Sequence, residues 1–183
     1  MRGSAYAFVV ALVGLQRLRE LAISRRHESR YSGSRAAARS YPVMVAANVA
    51  LFTLPLVEVA VRRPRPRAAG LWLALLAGAT GLRWWSIASL GPCWNVRAVV
   101  PDDLVPVTAG PYRYVRHPNY LAVAAEFLAL PMLGGAWMSA LALSIVDGLV
   151  LADRIRAEER LLAGRPGYSE AFSGRSRFFP GVF

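Results

Sequence analysis

Apolar residues form five long segments along the chain, and basic or proline- and glycine-containing connections separate these segments. A helix that crosses a bilayer needs about 20 mostly apolar residues, and most of the segments approach that length. We therefore predict an all-α fold: an integral membrane helical bundle of about five transmembrane helices. The predicted spans cover residues 4–23, 42–61, 70–90, 120–133 and 136–152.

Polar residues inside the predicted spans are the first candidates for function, because such groups are costly in a bilayer. The first span turns polar in its second half, where Arg17 and Glu20 either snorkel to the interface or help line a polar site. Glu58 lies near the end of the second span and is expected at the interface. Arg83 stands next to two tryptophans, which predicts that the third helix meets the interface there.

The fourth and fifth spans are joined by two glycines, Gly134 and Gly135, which predicts an antiparallel helical hairpin. Asp147 interrupts the apolar residues of the fifth span. Beyond that span the charged residues 153–162 are expected to continue as an amphipathic helix, and a tail follows that contains Gly, Pro and Ser. The whole chain, residues 1–183, is expected to form a single domain.

Composition supports a membrane protein, since 55% of the 183 residues are hydrophobic and only 18% are charged. The formal net charge is +11, but the arginines lie between the apolar segments and not along one face, so no nucleic-acid partner is expected. Their bias toward one side of the predicted bundle places the N-terminus outside and the tail in the cytoplasm. One cysteine, Cys93, excludes an internal disulfide, and two distant histidines predict no metal site.

A basic and aromatic stretch, TAGPYRYVRHPNY at residues 108–120, precedes the fourth span. Pro111 and Pro118 exclude one continuous helix through it. The predicted hairpin brings this stretch beside the charged helix, where Arg154 and Glu158 are spaced for an ion pair. Carboxylates and tyrosines can hold a cation such as a sulfonium, and arginines can hold an acidic or enolic oxygen. A basic loop beside a solvated, salt-bridged helix would show the same residues.

The C-terminal half resembles the isoprenylcysteine carboxyl methyltransferase family through RYVRHPNYLAVAAEFLALP, RIRAEERLL, GY and RFFP. The resemblance implies a membrane methyltransferase that uses S-adenosyl-L-methionine (SAM), releases S-adenosyl-L-homocysteine and has no Rossmann domain. It implies catalytic roles for Arg154, Glu159 and His117. The implied cofactor-binding residues are Tyr114, Val115, Arg116, His117, Pro118, Tyr120 and Glu158.

The N-terminal half resembles the bacterial subgroup that O-methylates long-chain alkylpyrones and alkylresorcinols, through LQRLRELAISRRHE and YPVMVAANVALF. The chain departs from that subgroup at His27, Ser40, Asn48 and Phe172. The resemblance implies a lipophilic acceptor in the bacterial cytoplasmic membrane. Because of these departures, the reacting group of the acceptor is either a hydroxyl or a prenylcysteine-type carboxylate. Residues 1–90 would serve the lipid and residues 91–183 would form the cofactor-binding hairpin and C-terminal cap. The substrate-binding candidates are Asn48, Glu126 and Arg177.

In the implied reaction an acceptor oxygen attacks the SAM methyl group in line, and catalysis comes from positioning and charge. A carboxylate acceptor needs no base. A phenol or enol must lose its proton, and Glu159 and His117 are the candidate bases. Two alternatives remain open, a sterol-reductase-like enzyme that binds NADPH and a non-enzymatic membrane scaffold. The sequence gives no indication of the oligomeric state.

Overall fold

The computed structural model describes residues 3–29, 33–36, 39–101 and 105–179. Five long helices and one short helix dominate it, which confirms the all-α helical bundle. Two 3-10 turns, Gly91–Cys93 and Gly110–Arg113, interrupt the connection between the third and fourth helices. The helices are α1 Gly3–Glu28, α2 Tyr41–Arg62, α3 Ala69–Leu90, α4 Pro118–Gly134, α5 Trp137–Ala163 and α6 Tyr168–Ala171.

Contacts at the two ends of the bundle show that the long helices run alternately up and down. Near the start of α1, Tyr6 faces Gly134 so closely that a Cβ on that glycine would lie 2.6 Å from the ring. The far end of α1 meets the α3–α4 connection, where the Val96 amide donates to Ser24 Oγ at 2.9 Å. We call these the turn end, which contains the α4–α5 turn, and the loop end, which contains residues 91–117.

The α4–α5 turn is held by residues that are distant in sequence. Gly135 ends α4 with φ of 81°, a left-handed conformation that glycine adopts without strain. The N-cap of α5 makes no side-chain cap hydrogen bond. Glu58 of α2 takes that role, because Ser139 donates to it through its amide at 2.8 Å and its hydroxyl at 2.6 Å. Glu58 therefore caps the start of α5, a role that the prediction of an interfacial residue did not include.

Large apolar side chains are exposed along the outside of the bundle, where a soluble protein would place polar groups. By length and mean hydropathy, one helix within the described ranges, α2, could cross a membrane by itself, with a mean hydropathy of 1.9. Only Ala47, Leu51 and Pro55 are buried in that helix, so its apolar surface faces outward. The count of five spans stays a prediction. Exposed apolar side chains on the other helices include Phe8, Leu12, Leu15, Leu71, Leu73, Leu141, Ile145 and Leu149.

The helix boundaries agree with the sequence pattern except at the loop end. α1 extends to Glu28, beyond residue 23 where the predicted span ends, so His27 belongs to the helix. A two-stranded antiparallel sheet, β1 Gly33–Arg35 and β2 Val99–Pro101, was not predicted, because three-residue strands are too short to show a periodic pattern. α5 continues without a break into the charged segment, as predicted.

Four charged side chains form a buried network between α1, α3 and α4. Glu20 accepts from Arg17 Nη1 at 2.9 Å and from Arg83 Nε at 2.8 Å. Glu126 forms an ion pair with Arg17 and lies 3.4 Å from Arg83 Nη1. Arg83 is only 6% exposed, so its side chain is a partner within the bundle, while the position of α3 at the interface stays a prediction. Arg17 and Glu20 are likewise buried partners and not snorkelling groups.

Candidate active site

One cavity of about 530 Å³ runs from the loop end into the bundle between α1, α2 and α5. This volume lies within the range of about 300–1,000 Å³ that small-molecule sites occupy. Its wall is polar near the loop end and apolar between α1 and α2. We refer to these two parts as the polar pocket and the apolar groove.

The α5 wall follows one face of that helix, because the lining residues are spaced three or four apart. Asp147, Leu151, Arg154, Glu158 and Leu162 line the cavity in this order from the bundle interior toward the loop end. At a rise of 1.5 Å per residue the series extends over roughly 22 Å. A single helix thus contributes to both parts of the cavity.

The charged α5 residues of the polar pocket are bound to the surrounding elements. Glu158 accepts a hydrogen bond of 2.5 Å from the Tyr120 hydroxyl at the start of α4. Arg154 donates from Nη2 to the Val96 carbonyl at 2.7 Å and lies 6.0 Å from the Tyr120 ring centroid. Its Nη1 is buried without a hydrogen-bond partner among the described residues. A buried guanidinium donor that lines a cavity can bind an oxygen of a ligand.

His117 connects the polar pocket to the charged residues behind it. The residue lines the cavity and is 4% exposed, and its Nε2 lies 3.2 Å from Glu159 Oε1. Arg177 of the tail contacts the same carboxylate, with 2.6 Å between Nη2 and Oε2. The hydrogen bond from His117 and then the Arg177 contacts outweigh desolvation and lower the pKa of Glu159 to about 2. An ionised carboxylate only accepts, so His117 Nε2 carries the donated hydrogen.

The tail closes the polar pocket by pairing its backbone with the stretch before α4. The amides of Arg116 and His117 donate to the carbonyls of Ser176 and Arg177, both at 3.0 Å. Arg116 Nε also donates to the Arg175 carbonyl at 2.6 Å. Aromatic residues complete this wall, and burial raises the pKa of Tyr168 to about 12, so its hydroxyl is neutral at physiological pH. The aromatic lining residues here are Tyr112, Tyr168 and Phe172.

Side chains of α1 and α2 form the apolar groove. Gly14 lines it, and no atom lies within 4 Å of where a Cβ of this residue would stand. Asn48 also lines the groove, but its amide nitrogen donates to the Met44 carbonyl at 2.9 Å within its own helix. Arg17 and Glu20 of α1 also line the cavity, as the alternative prediction for these two residues had it. Most of the other lining side chains of α1 and α2 are hydrocarbon, which suits an aliphatic ligand. These are Leu18, Leu21, Met44, Val45, Val49 and Phe52.

Comparison with known proteins gives two matches. The model of the isoprenylcysteine carboxyl methyltransferase (ICMT) family matches residues 72–164. The chain is also 30% identical over 158 residues to the uncharacterized protein YpbQ of Bacillus subtilis, an alignment that covers 84% of this chain and 94% of that protein. The chain belongs to the ICMT family. Membership places it among membrane methyltransferases.

The ICMT match covers the helices on one side of the cavity and not those on the other. Residues 72–164 contain most of α3 together with α4 and α5, which supply His117, Arg154 and Glu158 to the polar pocket. The α1 and α2 helices, which form the apolar groove, precede the matched region. The matched region therefore supplies most of the polar pocket, and Tyr168 and Phe172 complete the pocket from outside the match.

Six of the residues that the ICMT resemblance singled out line the cavity. The others lie elsewhere: Tyr114 is 55% exposed, and Val115 and Pro118 are buried outside the lining. Glu126 belongs to the buried charge network, and Glu159 and Arg177 lie behind His117. The six lining residues are Asn48, Arg116, His117, Tyr120, Arg154 and Glu158.

Sequence reasoning did not assign several lining residues to the site. Trp94, Asn95 and Val96 come from the α3–α4 connection, whose path no local pattern reveals. Asn119 lines the polar pocket, and its buried Oδ1 has no hydrogen-bond partner in the described part of the chain. Asp147 was visible as a charge inside an apolar span, which is the one signal that could have identified it.

Proposed function

We propose that the chain transfers the methyl group of SAM to an oxygen of a lipophilic acceptor. The observation that carries this proposal is the continuous cavity, which joins a polar pocket to an apolar groove inside one bundle. A polar cofactor and the head of an amphiphile could meet in such a space without leaving the protein. Family membership supports the reaction class, since the ICMT family is described by methyl transfer.

The residues of the polar pocket fit SAM, which is a zwitterionic amino acid with a sulfonium and an adenosine. Glu158 and the face of Tyr120 would hold the positive sulfonium by charge and cation–π contact. Asn119 Oδ1 and Arg154 Nη1 are both buried without partners in the described ranges, and they offer an acceptor to the cofactor and a donor to the acceptor oxygen, respectively. SAM supplies an electrophilic methyl group when it is bound.

The apolar groove fits the hydrocarbon tail of the acceptor. Each buried methylene contributes about 0.8 kcal/mol, so a long chain would dominate the affinity of the acceptor. Because the groove lies between α1 and α2, an amphiphile would enter sideways from the bilayer, with Gly14 and Asn48 beside its tail. This arrangement belongs to our proposed orientation, with the N-terminus outside and the site at the cytoplasmic face of a bacterial membrane.

In the proposed reaction the acceptor oxygen forms a bond to the methyl carbon while the bond from sulfur to that carbon breaks. The electron pair stays on sulfur, which gives neutral S-adenosyl-L-homocysteine. Alignment in the cavity and a fixed array of charges would lower the barrier. Glu159 is a weak base with a pKa near 2, and it does not line the cavity. Of the two bases that the resemblance suggested, His117 is therefore the better placed.

The geometry does not favour NADPH. Its 2′-phosphate would lie beside the Glu158 carboxylate in the same pocket, and Arg116 and Arg154 each already donate once to a backbone carbonyl. The test is calorimetric titration of the purified protein in detergent with SAM, S-adenosyl-L-homocysteine and NADPH. We expect saturable binding of the first two and none of the third. Binding of NADPH without SAM would contradict the proposal.

A further inference from the structure

The turn end carries a basic segment that the proposed function does not use. Residues 62–67 read RRPRPR and lead from the end of α2 toward α3. Arg63 and Ala68 have φ of 47° and 53°, a left-handed conformation that is unfavourable for residues other than glycine. The two prolines restrict the backbone between them, and a Cβ on Gly135 would lie 3.3 Å from Pro64. The segment is therefore fixed against the α4–α5 turn.

A second cavity, of about 180 Å³, lies between this segment and the start of α1. Tyr6 lines it, and the hydroxyl end of its ring packs on Gly134, which lines the same cavity. Tyr6 is 2% exposed, and its hydroxyl has no hydrogen-bond partner among the described residues. Because a buried hydroxyl without a partner is costly, this group indicates a ligand that accepts its hydrogen bond.

Arginine side chains make this end of the bundle positive. Arg63 lines the second cavity, and Arg65 and Arg67 are exposed neighbours on the same segment. Within the described ranges, the side chains of these three residues make no ion pair. Glu58 lies nearby, but it caps α5 and attracts Arg62. Arg62 and Glu58 offset each other, so the three other arginines are left without a negative partner.

The residues around the segment are those of a membrane interface. The Arg62 guanidinium lies 5.7 Å from the Trp137 ring centroid, and the Trp72 indole donates to the Arg67 carbonyl at 3.2 Å. Tryptophan and arginine are enriched where the phosphate groups of a bilayer lie. Val61 of α2, directly before the segment, is 75% exposed and offers an apolar surface to acyl chains. A phospholipid is therefore the nearest source of an anion for this site.

We infer that the turn end binds the phosphate group of an anionic phospholipid. The Tyr6 hydroxyl and the Arg63 guanidinium donate to the phosphate oxygens, a pairing that suits both donors. A head group without an ammonium fits best, because a second cation would face Arg65 and Arg67. The cavity holds the phosphate and part of the head group, while the acyl chains stay in the bilayer. The site lies at the opposite end of the bundle from the polar pocket, so this inference does not depend on methyl transfer.

The test measures lipid binding to the detergent-solubilised protein by native mass spectrometry. The probes are dioctanoyl phosphatidylglycerol, dioctanoyl phosphatidylcholine and inorganic phosphate. Wild type is compared with Tyr6→Phe and Arg63→Gln. Arg156→Gln is the matched control, because it removes an exposed arginine from the loop-end half of α5. Thermal unfolding without lipid and SAM affinity are measured for every variant.

We expect the wild type to bind one phosphatidylglycerol about tenfold more tightly than phosphatidylcholine. Tyr6→Phe should weaken this binding about tenfold or more, since it removes a hydrogen bond to a charged group. Arg63→Gln should weaken it about fivefold or more, since it removes one positive charge at the membrane surface. Without lipid, Tyr6→Phe should be at least as stable as the wild type, because the lost hydroxyl has no partner in the described part of the chain. Arg156→Gln should bind phosphatidylglycerol as the wild type does, and SAM affinity should be unchanged in all variants.

Equal affinity of the wild type for both lipids, or unchanged phosphatidylglycerol affinity in Tyr6→Phe and Arg63→Gln, would overturn the inference. An equal loss in Arg156→Gln would reduce the effect to general attraction between charges and would also overturn the site. Binding of inorganic phosphate with no binding of phosphatidylglycerol would overturn the lipid as the ligand.

Discussion

His117 is the residue on which the polar pocket depends most directly, because it lines the cavity and is fixed by Glu159. His117→Ala should weaken SAM binding about tenfold or more, since a hydrogen bond to a charged group contributes about 1.5–3 kcal/mol. Titration calorimetry measures the change. Tyr114→Ala is the matched control, because Tyr114 lies in the same stretch but is exposed outside the cavity. Unchanged SAM affinity in His117→Ala would exclude this residue from the pocket.

Arg154 and Glu159 lie close together on α5, five residues apart, but we expect them to respond differently to substitution. Arg154 lines the cavity with a free donor, so Arg154→Ala should lower kcat by about 10²-fold or more and change SAM affinity less. Glu159 holds His117 and Arg177 from behind, so Glu159→Gln should lower activity through a displaced His117. Single-turnover rates and SAM affinity separate the two effects. Unfolding of both variants, with no separable loss of rate, would indicate that the two residues only stabilise the fold.

The ionisation of Glu159 also predicts how its contribution to stability depends on pH. Its pKa is lowered to about 2 in the folded protein, so the contribution is complete above the unfolded pKa and is lost as the pH falls through the folded one. The difference in thermal stability between the wild type and Glu159→Gln should shrink as the pH falls from about 4 toward 2. A difference that does not change over this acidic range would contradict the assigned ionisation.

At the scale of elements, the buried charge network holds α1 against α3 and α4. Arg83→Leu would leave Glu20 and Glu126 with one cation between them, and removal of one partner of a buried pair costs about 3–5 kcal/mol. Thermal unfolding in detergent should show a marked loss of stability. Arg19→Leu, which removes an exposed arginine from α1, is the control and should change stability little. Equal stability of both variants would mean that the network is not structural.

The apolar groove between α1 and α2 predicts a limit on the length of the acceptor tail. Gly14→Leu would fill open space in the groove, and Asn48→Trp would narrow it from the facing helix. Both variants should shift the preferred tail to shorter chains, measured as kcat/KM across a series of tail lengths. Gly148→Leu adds the same bulk to an exposed position of α5 and should leave the preference unchanged. An unaltered optimum in all variants would exclude the groove as the tail site.

Individual elements show what the sequence could predict. The boundaries of α2 and α3 followed from apolar runs and lie within one residue of the predicted spans. The hairpin followed from its two glycines and brought His117 to Arg154 and Glu158. The burial of Arg83 was not predicted, because burial of a charged side chain depends on a partner such as Glu20 that lies 63 residues away. The backbone pairing of the tail with residues 116–117 was not predictable either, because the pattern of side chains does not indicate which distant backbone groups form hydrogen bonds.

The whole molecule combines a polar pocket, which lies mostly in the region matched by the family, with an apolar groove between α1 and α2. Exposed apolar side chains surround the bundle. The described part of the chain has no soluble domain in which a long hydrocarbon could be buried outside this cavity. The acceptor would therefore reach the pocket through the bilayer and not from the cytosol. The last four residues, 180–183, which end the RFFPGVF tail, lie outside the described part of the chain.

The most direct measurement is methyl transfer from labelled SAM in nanodiscs to alkylresorcinols, alkylpyrones and prenylcysteines of graded tail length. Our account predicts label in the lipid fraction and a kcat/KM that rises steeply with tail length until the groove is full, because each added methylene contributes about 0.8 kcal/mol. Absence of label from every acceptor, or equal transfer to phenols without a tail, would contradict it.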